Sequence, residues 1–369
     1  MFSSRFRDFD WTLLGFVAAL SIISVFEIRS ATAMTKFHGF QTKQVLFLSI
    51  GTVAMFAISM LDYHKLLDIA YWAYGISVAA LVAVLVPHVG TKVLGARRWI
   101  NLGGGAHFQP SEWVKLVLIL TMARFLWERS SEGHEMSWKD IGKCFALIGG
   151  PMLLVLKEPD LGTCLTYSPL LLIGLFLGGI RFKQASILIL GFLLLVGIGW
   201  KSGKLLKPYQ KARLTAFMNP DNDPKGSGYQ IRQSLIAVGS GGLWGTGANK
   251  GSQTQGDFLP IPYTDFIFAA FCEEHGFLGA VIILLLYFMI LVRLVQNAQM
   301  AADPPGTLIT MGVMAIMTFQ VAVNVGMCLG LMPVTGIPLP LMSYGGSSVI
   351  FTFLALGIVM NIRMRRFVN

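Results

Sequence analysis

The sequence predicts an all-α integral membrane protein of about ten transmembrane helices, with a long extracytoplasmic loop between helices 7 and 8. Three observations carry that expectation. The 369 residues are 54% hydrophobic and only 13% charged, which excludes an ordinary soluble domain. Apolar stretches of roughly 17–25 residues, the length that crosses a hydrocarbon core, recur along the chain. Basic residues flank them on one side: Arg5 and Arg7 before the first span, Arg181 and Lys183 in a short connection, and Arg363, Arg365 and Arg366 at the end.

The spans are read at about 11–29, 45–61, 69–88, 113–127, 144–157, 161–180, 184–200, 265–295, 307–331 and 343–362, in one polytopic domain covering 1–369. The fifth is short and contains Gly149-Gly150-Pro151, so a broken or re-entrant helix is an option there. The first apolar run lacks a small-residue cleavage pattern and reads as a retained span. An even number of spans and the basic clusters put both termini in the cytoplasm of a multi-pass protein of the cytoplasmic membrane. Cys144, Cys164, Cys272 and Cys328 lie in or beside apolar spans, without metal-ligand spacing, and read as packing residues.

The formal charge of +10 is not confined to the inner side. The loop 201–264 carries eight basic residues, Lys201, Lys204, Lys207, Lys211, Arg213, Lys225, Arg232 and Lys250, against Asp221, Asp223 and Asp257. A solvated surface beside anionic membrane lipids is one explanation, and a site for an anionic substrate is the sharper one. Nothing in the pattern calls for nucleic acid. The glycines Gly239, Gly241 and Gly245 are not followed by Lys-Ser or Lys-Thr, so a P-loop is rejected. Tyr229 to Val238 has amphipathic spacing and suggests a helix lying in the interface.

Polar clusters gather on the outer side. In QPSEWVK, Ser111 can cap a helix and Glu112 favours its positive end. Lys115 neighbours Glu112 three residues on, either as a local ion pair or as a costly ionisable group inside a span. Asp160 in KEPDLGT can cap the sixth span or act at the membrane boundary. Asp265 opens the eighth span and is either a cap or a working group. Glu273 and Glu274 lie within the next turns, read as structural ion pairing before a proton path. Pro333, Pro338 and Pro340 predict an ordered return between the last two spans, and Ser343, Tyr344, Gly345 and Gly346 open the last one.

Together, GARRWINLG, FQPSEWVK, EPDLGT, DPKGSGYQ, GSGG, TDFIF, EEHG, NVGM and PLPLMSYGGSS resemble the SEDS family (shape, elongation, division and sporulation), in order, from about Arg29 to Met360. AVGSGG after GYQIRQSLI resembles the rod-shape branch more than the division branch. The resemblance implies a peptidoglycan glycosyltransferase that polymerises lipid II on the outer face of the membrane during cell-wall elongation. It implies that Asp265 is the essential acid and that Lys115 lies near it across a cavity. It places Arg97, Arg98, Glu112, Asp160, Gln210, Arg213 and Ser343 in the substrate-binding set, Gln210 and Arg213 through the YQ-x-x-R string. It also implies a class B penicillin-binding protein as cross-linking partner, for which lipid-facing residues of the eighth and ninth spans are the suggested docking surface. Relatives commonly carry Pro-Glu-x-His before the Thr-Asp pair, whereas this chain has Pro260-Ile261-Pro262-Tyr263.

The residues suit that chemistry. A single carboxylate can take the proton of an attacking sugar hydroxyl, and cationic side chains neutralise a pyrophosphate leaving group. No cofactor is evident; the chemistry admits a divalent cation, Mg²⁺ or Mn²⁺, beside Asp160 or Asp265, although the six histidines are scattered. Two rival readings stand beside the enzyme: a flippase for the lipid-linked precursor, and a scaffold without catalysis.

Overall fold

The computed structural model describes residues 8–34, 39–87, 90–93, 96–101, 107–131, 135–202 and 207–367. Fifteen α-helices run through them in chain order. They are α1 (Trp11–Ala31), α2 (Phe40–Met60), α3 (Tyr63–Asp68), α4 (Ala70–Leu85), α5 (Pro110–Ser131), α6 (Trp138–Lys157), α7 (Leu161–Thr166), α8 (Ser168–Leu177), α9 (Phe182–Ser202), α10 (Pro208–Met218), α11 (Ser227–Ser240), α12 (Ser252–Gln255), α13 (Ile267–Gln299), α14 (Pro304–Cys328) and α15 (Gly346–Met364). Between α4 and α5 a small antiparallel sheet joins β1 (Gly90–Val93), β2 (Ala96–Asn101) and β3 (His107–Phe108), pairing Thr91 with Trp99 and Ile100 with Phe108.

Each expected span falls on a helix. Six helices, α1, α2, α9 over Phe182–Gly199, α13, α14 and α15, are long and apolar enough to cross a bilayer. Ala70–Leu85 and Leu161–Leu177 are shorter apolar stretches. Two more, α5 and α6, have 22 and 20 residues and carry more charge. The most enclosed is α15, packed along α2: Gly51 lies under the Phe353 ring, and a Cβ on Gly357 would stand 2.7 Å from the Met55 carbonyl oxygen. The peripheral helix is α9, with Ile189, Leu190, Phe192, Leu193, Leu194 and Leu195 exposed as a surface suited to lipid tails.

The break expected in the pair 144–157 and 161–180 falls elsewhere than at Gly149-Gly150-Pro151, and one further break appears. Gly149-Gly150-Pro151 does not break its helix; α6 runs through it with Pro151 buried. The interruption lies instead at Tyr167, between α7 and α8, with a proline in the first turn of α8. A second lies at Gly276 inside α13 (φ 66°, ψ −165°), a conformation open to glycine because it has no Cβ. Residues 329–345 form the expected non-helical return, with Val334, Ile337, Leu339, Leu341 and Met342 buried. Its freed backbone is covered by protein, as a membrane interior demands.

The two chain ends meet on one face. Asp10 caps α1 through Leu13 N–H (3.0 Å) and accepts from Arg293 (2.6 Å), Asn297 (2.9 Å) and Arg363 (3.3 Å), while Arg366 reaches Asp8 at 2.8 Å. Arg293 lies near the far end of α13 from Asp265. Beyond the Gly276 break, Phe277 to Arg293 alone rises about 24 Å, so Asp10 and Arg363 stand on the face of the bundle away from Asp265.

Candidate active site around Asp265

Asp265 lies two residues ahead of α13, whose N-cap is Phe266. Three successive carbonyls hold its backbone. The Tyr263 carbonyl accepts from Tyr344 N–H (2.9 Å), that of Thr264 from Ser343 Oγ (2.6 Å), and that of Asp265 from Asn324 Nδ2 (2.9 Å). Ser343 Oγ also accepts from Leu339 N–H (2.8 Å), and Asn324 also donates to the Ile337 carbonyl (2.8 Å). The buried 329–345 return is therefore a clamp on the Asp265 turn. Ile261 and Leu341, one on each side of the clamp, hold left-handed φ angles of 49° and 67°. Tyr263 packs edge-on against Phe40 and Tyr344.

The carboxylate is treated differently. Among the described residues it makes no hydrogen bond or ion pair. It faces Gly336 (φ 75°), whose Cβ, if present, would stand 3.4 Å from Oδ2. Asp265 is thus not a helix cap. Its surroundings remain charged. Burial pushes its carboxyl up to about 6; Arg213 pulls it down, Asp160 pushes it up, and Arg98 pulls it down. Such a carboxyl takes and returns a proton near neutral pH.

Arg213 extends from α10 and donates to the Thr335 carbonyl at 3.1 Å, beside Gly336. Gln210, one turn earlier, accepts from Lys207 N–H (2.9 Å) and so helps start the helix that carries Arg213. Arg98 leaves β2, donates to the carbonyls of Glu158 (3.3 Å) and Pro159, and lies 3.7 Å from Asp160 Oδ2. Arg98 lies at the irregularity in the β1–β2 register, between Arg97, paired with Lys92, and Trp99, paired with Thr91. Arg97, paired in register with Lys92, is half-buried and bonded to nothing among the described residues.

Asp160 does cap α7, accepting from Thr163 N–H (3.1 Å) and Thr163 Oγ1 (3.0 Å), and its other partners are Gln109 Nε2 (3.1 Å) and Arg98. Both readings of that residue hold at once. Glu158 beside it is buried with both carboxylate oxygens unpaired; burial pushes it up to about 8, with Asp160 raising and Arg98 lowering it.

Lys115 and Glu112 form the local ion pair at 2.8 Å. The lysine is wholly buried, with its ammonium 4.3 Å from the centre of the Phe351 ring on α15. Among the described residues its ammonium pairs with Glu112 and makes no ion pair with Asp160 or Asp265. Ser111 is not a cap: Pro110 begins α5, and Ser111 Oγ is buried without a partner. Glu273 and Glu274 do not make ion pairs with basic loop residues. Glu273 accepts from Gln253 N–H (2.7 Å), Thr254 N–H (3.0 Å) and Thr254 Oγ1 (2.7 Å), and Glu274 from Ser30 Oγ and Asn249 N–H (3.1 Å). Their structural role stands, with neutral donors from the large loop in place of cations. The Tyr229–Val238 helix exists within α11 and is tied to α14 by Ser234 Oγ on the Cys328 carbonyl (2.8 Å).

Four contributors were not singled out in the sequence: Asn324, Gln109, Glu158 and Gly336. Asn324 left a trace, an amide in an otherwise apolar run. Gly336 left none beyond its type.

Comparison with known proteins agrees with this architecture. Residues 7–367 match the family described as Cell cycle protein, FtsW/RodA/SpoVE. The chain is 37% identical over 347 residues to Stage V sporulation protein E of Bacillus subtilis (strain 168), covering 93% of each. It is 37% identical over 357 residues to Peptidoglycan glycosyltransferase MrdB of Escherichia coli (strain K12), covering 97% of this chain and 94% of that one. Among solved structures, a chain from work on the coordination of polymerization and crosslinking by a peptidoglycan synthase complex superposes with a TM-score of 0.83 at 32% identity, covering 98% of this chain and 99% of that one. The Thermus thermophilus Rod shape determining protein RodA superposes with a TM-score of 0.73 at 30% identity over 98% of both. With its membrane-length helices and near-complete coverage by these relatives, the chain belongs to the FtsW/RodA/SpoVE family of cell-cycle proteins, the SEDS family.

Proposed function

We propose that this protein is a peptidoglycan glycosyltransferase that polymerises lipid II on the outer face of the cytoplasmic membrane, with Asp265 as general base. One observation carries the reading. Three backbone carbonyls on and before Asp265 are fixed, yet its carboxylate is left free and held near the proton-transfer range. Two close relatives in fold or sequence bear names of that activity, MrdB among them.

In this reading the acceptor sugar's hydroxyl proton passes to the Asp265 carboxylate as its oxygen bonds to the donor's anomeric carbon. The anomeric C–O bond to pyrophosphate breaks, the undecaprenyl pyrophosphate leaves with the electron pair, and the configuration inverts. Arg98 and Arg213 supply counter-charge to the leaving group. Asp160 holds Arg98 in place. Arg97, next to Arg98 on β2, adds a further cation for the anionic substrate. Lys115, with Glu112, acts as a buried brace between α5 and α15 rather than by touching substrate. Gln210 positions Arg213, and Ser343 positions Asp265. Asp160 and Asp265 belong to no group of three close metal-ligand atoms among the described residues.

The orientation follows the positive-inside rule: Arg363, Arg365 and Arg366, with the N-terminus beside them, face the cytoplasm. A class B penicillin-binding protein is the partner we expect, supported by the likeness to a chain of a peptidoglycan synthase complex.

The test is polymerisation of purified lipid II with and without the class B partner, under moenomycin, comparing wild type with Asp265→Asn. Glycan strands from wild type alone support the reading. Strands from both would remove Asp265 as the base. Intact lipid II binding without strands under any partner condition would favour the flippase.

A further inference from the structure

Away from Asp265, three side chains converge with unused ligand atoms. Glu27, near the end of α1, is 2% exposed, and neither of its carboxylate oxygens has a hydrogen-bond partner. A buried carboxylate left bare costs several kcal/mol, roughly, unless a proton or cation compensates it. Two groups of α13 face it. Glu274 spends Oε1 on Ser30 and Asn249, while its Oε2 is buried and unpartnered. His275, half-exposed, has Nδ1 3.7 Å from Glu27 Oε2 and stacks on Phe271 with ring centres 4.2 Å apart. One ligand atom from each of the three lies within 4.8 Å of the others. No lysine or arginine pairs with them among the described residues.

We infer that Glu27, Glu274 and His275 bind a divalent metal ion of the zinc or manganese type. Two carboxylates and one imidazole suit Zn²⁺ or Mn²⁺, and the absence of a thiolate argues against softer ions. Bonds of about 2.0–2.2 Å draw the three atoms closer than they stand now. Glu27 and His275 can make that move because neither is held by another hydrogen bond.

The position suits an ion arriving from water. His275 and Arg293 are separated by 18 positions on α13, about 27 Å of helix, close to the hydrocarbon thickness. The cluster therefore lies at the membrane boundary on the Asp265 side. It borders an apolar cavity of about 350 Å³ lined by Ile23, Phe26, Phe271, His275, Gly279 and Ile282.

The ion would join parts that otherwise meet through weak contacts. At the Gly276 break, residues 242–247 fill the gap: Phe277 N–H donates to the Gly242 carbonyl (2.8 Å), and Thr246 and Gly247 donate to the carbonyls of Glu273 (2.9 Å) and Glu274 (3.0 Å). Glu274 further holds Asn249. A metal there locks α1, the α13 break and the large loop into one unit, whatever reaction Asp265 performs.

The experiment uses the full chain in detergent, without a polyhistidine tag, stripped with chelator and titrated with ZnCl₂ and separately MnCl₂. One equivalent of metal retained through gel filtration, measured by elemental analysis, with a higher Tm than the stripped protein, is the expected result. Glu27→Gln, an isosteric change, and His275→Ala, at a half-exposed position, should each weaken binding at least tenfold and abolish the Tm shift. Asp265→Asn should bind like wild type. Absence of retained metal on wild type, or equal retention by both cluster variants, would overturn the site.

Discussion

At the residue scale, Asp265 shows how burial and function oppose each other. Its ordinary value is 3.8 and its folded value about 6, so the protonated form fits the fold better than the ionised one. The stability it contributes is full below the ordinary value and is lost as pH rises through about 6. At neutral pH the ionised group is a net burden of at most ~3 kcal/mol, a cost that the proposed role as base accounts for. Asp265→Asn should therefore leave Tm equal or higher while lowering turnover by about 10²–10⁴, checked by thermal unfolding beside the lipid II assay. The rate should fall on the acid side with a midpoint near 6. Because Arg213 pulls the carboxyl down, Arg213→Gln should move that midpoint to higher pH; an unmoved midpoint would separate the acid limb from Asp265.

At the scale of elements, the 329–345 return has no regular structure, yet it sets the site's geometry. Ser343 Oγ serves Thr264 and Leu339 together, so Ser343→Ala orphans two buried backbone groups. We expect a loss of about 1–3 kcal/mol and a drop in turnover without a matching loss of lipid II affinity, seen as a change in kcat more than KM. Gly276 is the other pivot. Its positive φ and a Cβ position 2.4 Å from Gly245 N forbid a side chain, so Gly276→Ala should cost more than about 2 kcal/mol or prevent folding, read by Tm and detergent gel filtration.

For the whole molecule, the first helix, α13 and the last helix are gathered by one acid. Asp10 is buried and balances Arg293 and Arg363 on the face opposite Asp265. Its removal leaves two partly buried guanidiniums facing each other. Asp10→Ala should destabilise the bundle by about 3–5 kcal/mol, while a substitution of exposed Asp221, paired only with Arg232 at 3.4 Å, should be close to neutral in the same unfolding assay.

The sequence alone predicted the helical membrane class, because helix length and apolar content answer directly to bilayer thickness. It also singled out Asp160 as a charged group in a short connection, Asp265 as an acid opening an apolar run, and Arg213 through the YQ-x-x-R string of the long loop. Three matters were decided only by tertiary structure. Arg98 is carried by β2 to the Glu158 carbonyl, 60 positions away in the chain, and to Asp160. Lys115 turns to Glu112 and Phe351 because α15, more than 200 residues later, closes over it. Asn324 and Ser343 hold the Asp265 turn across 59 and 79 positions of chain, a contact with no local trace. Local sequence reports what one helix needs from its solvent; which groups share a point in space depends on how the helices pack.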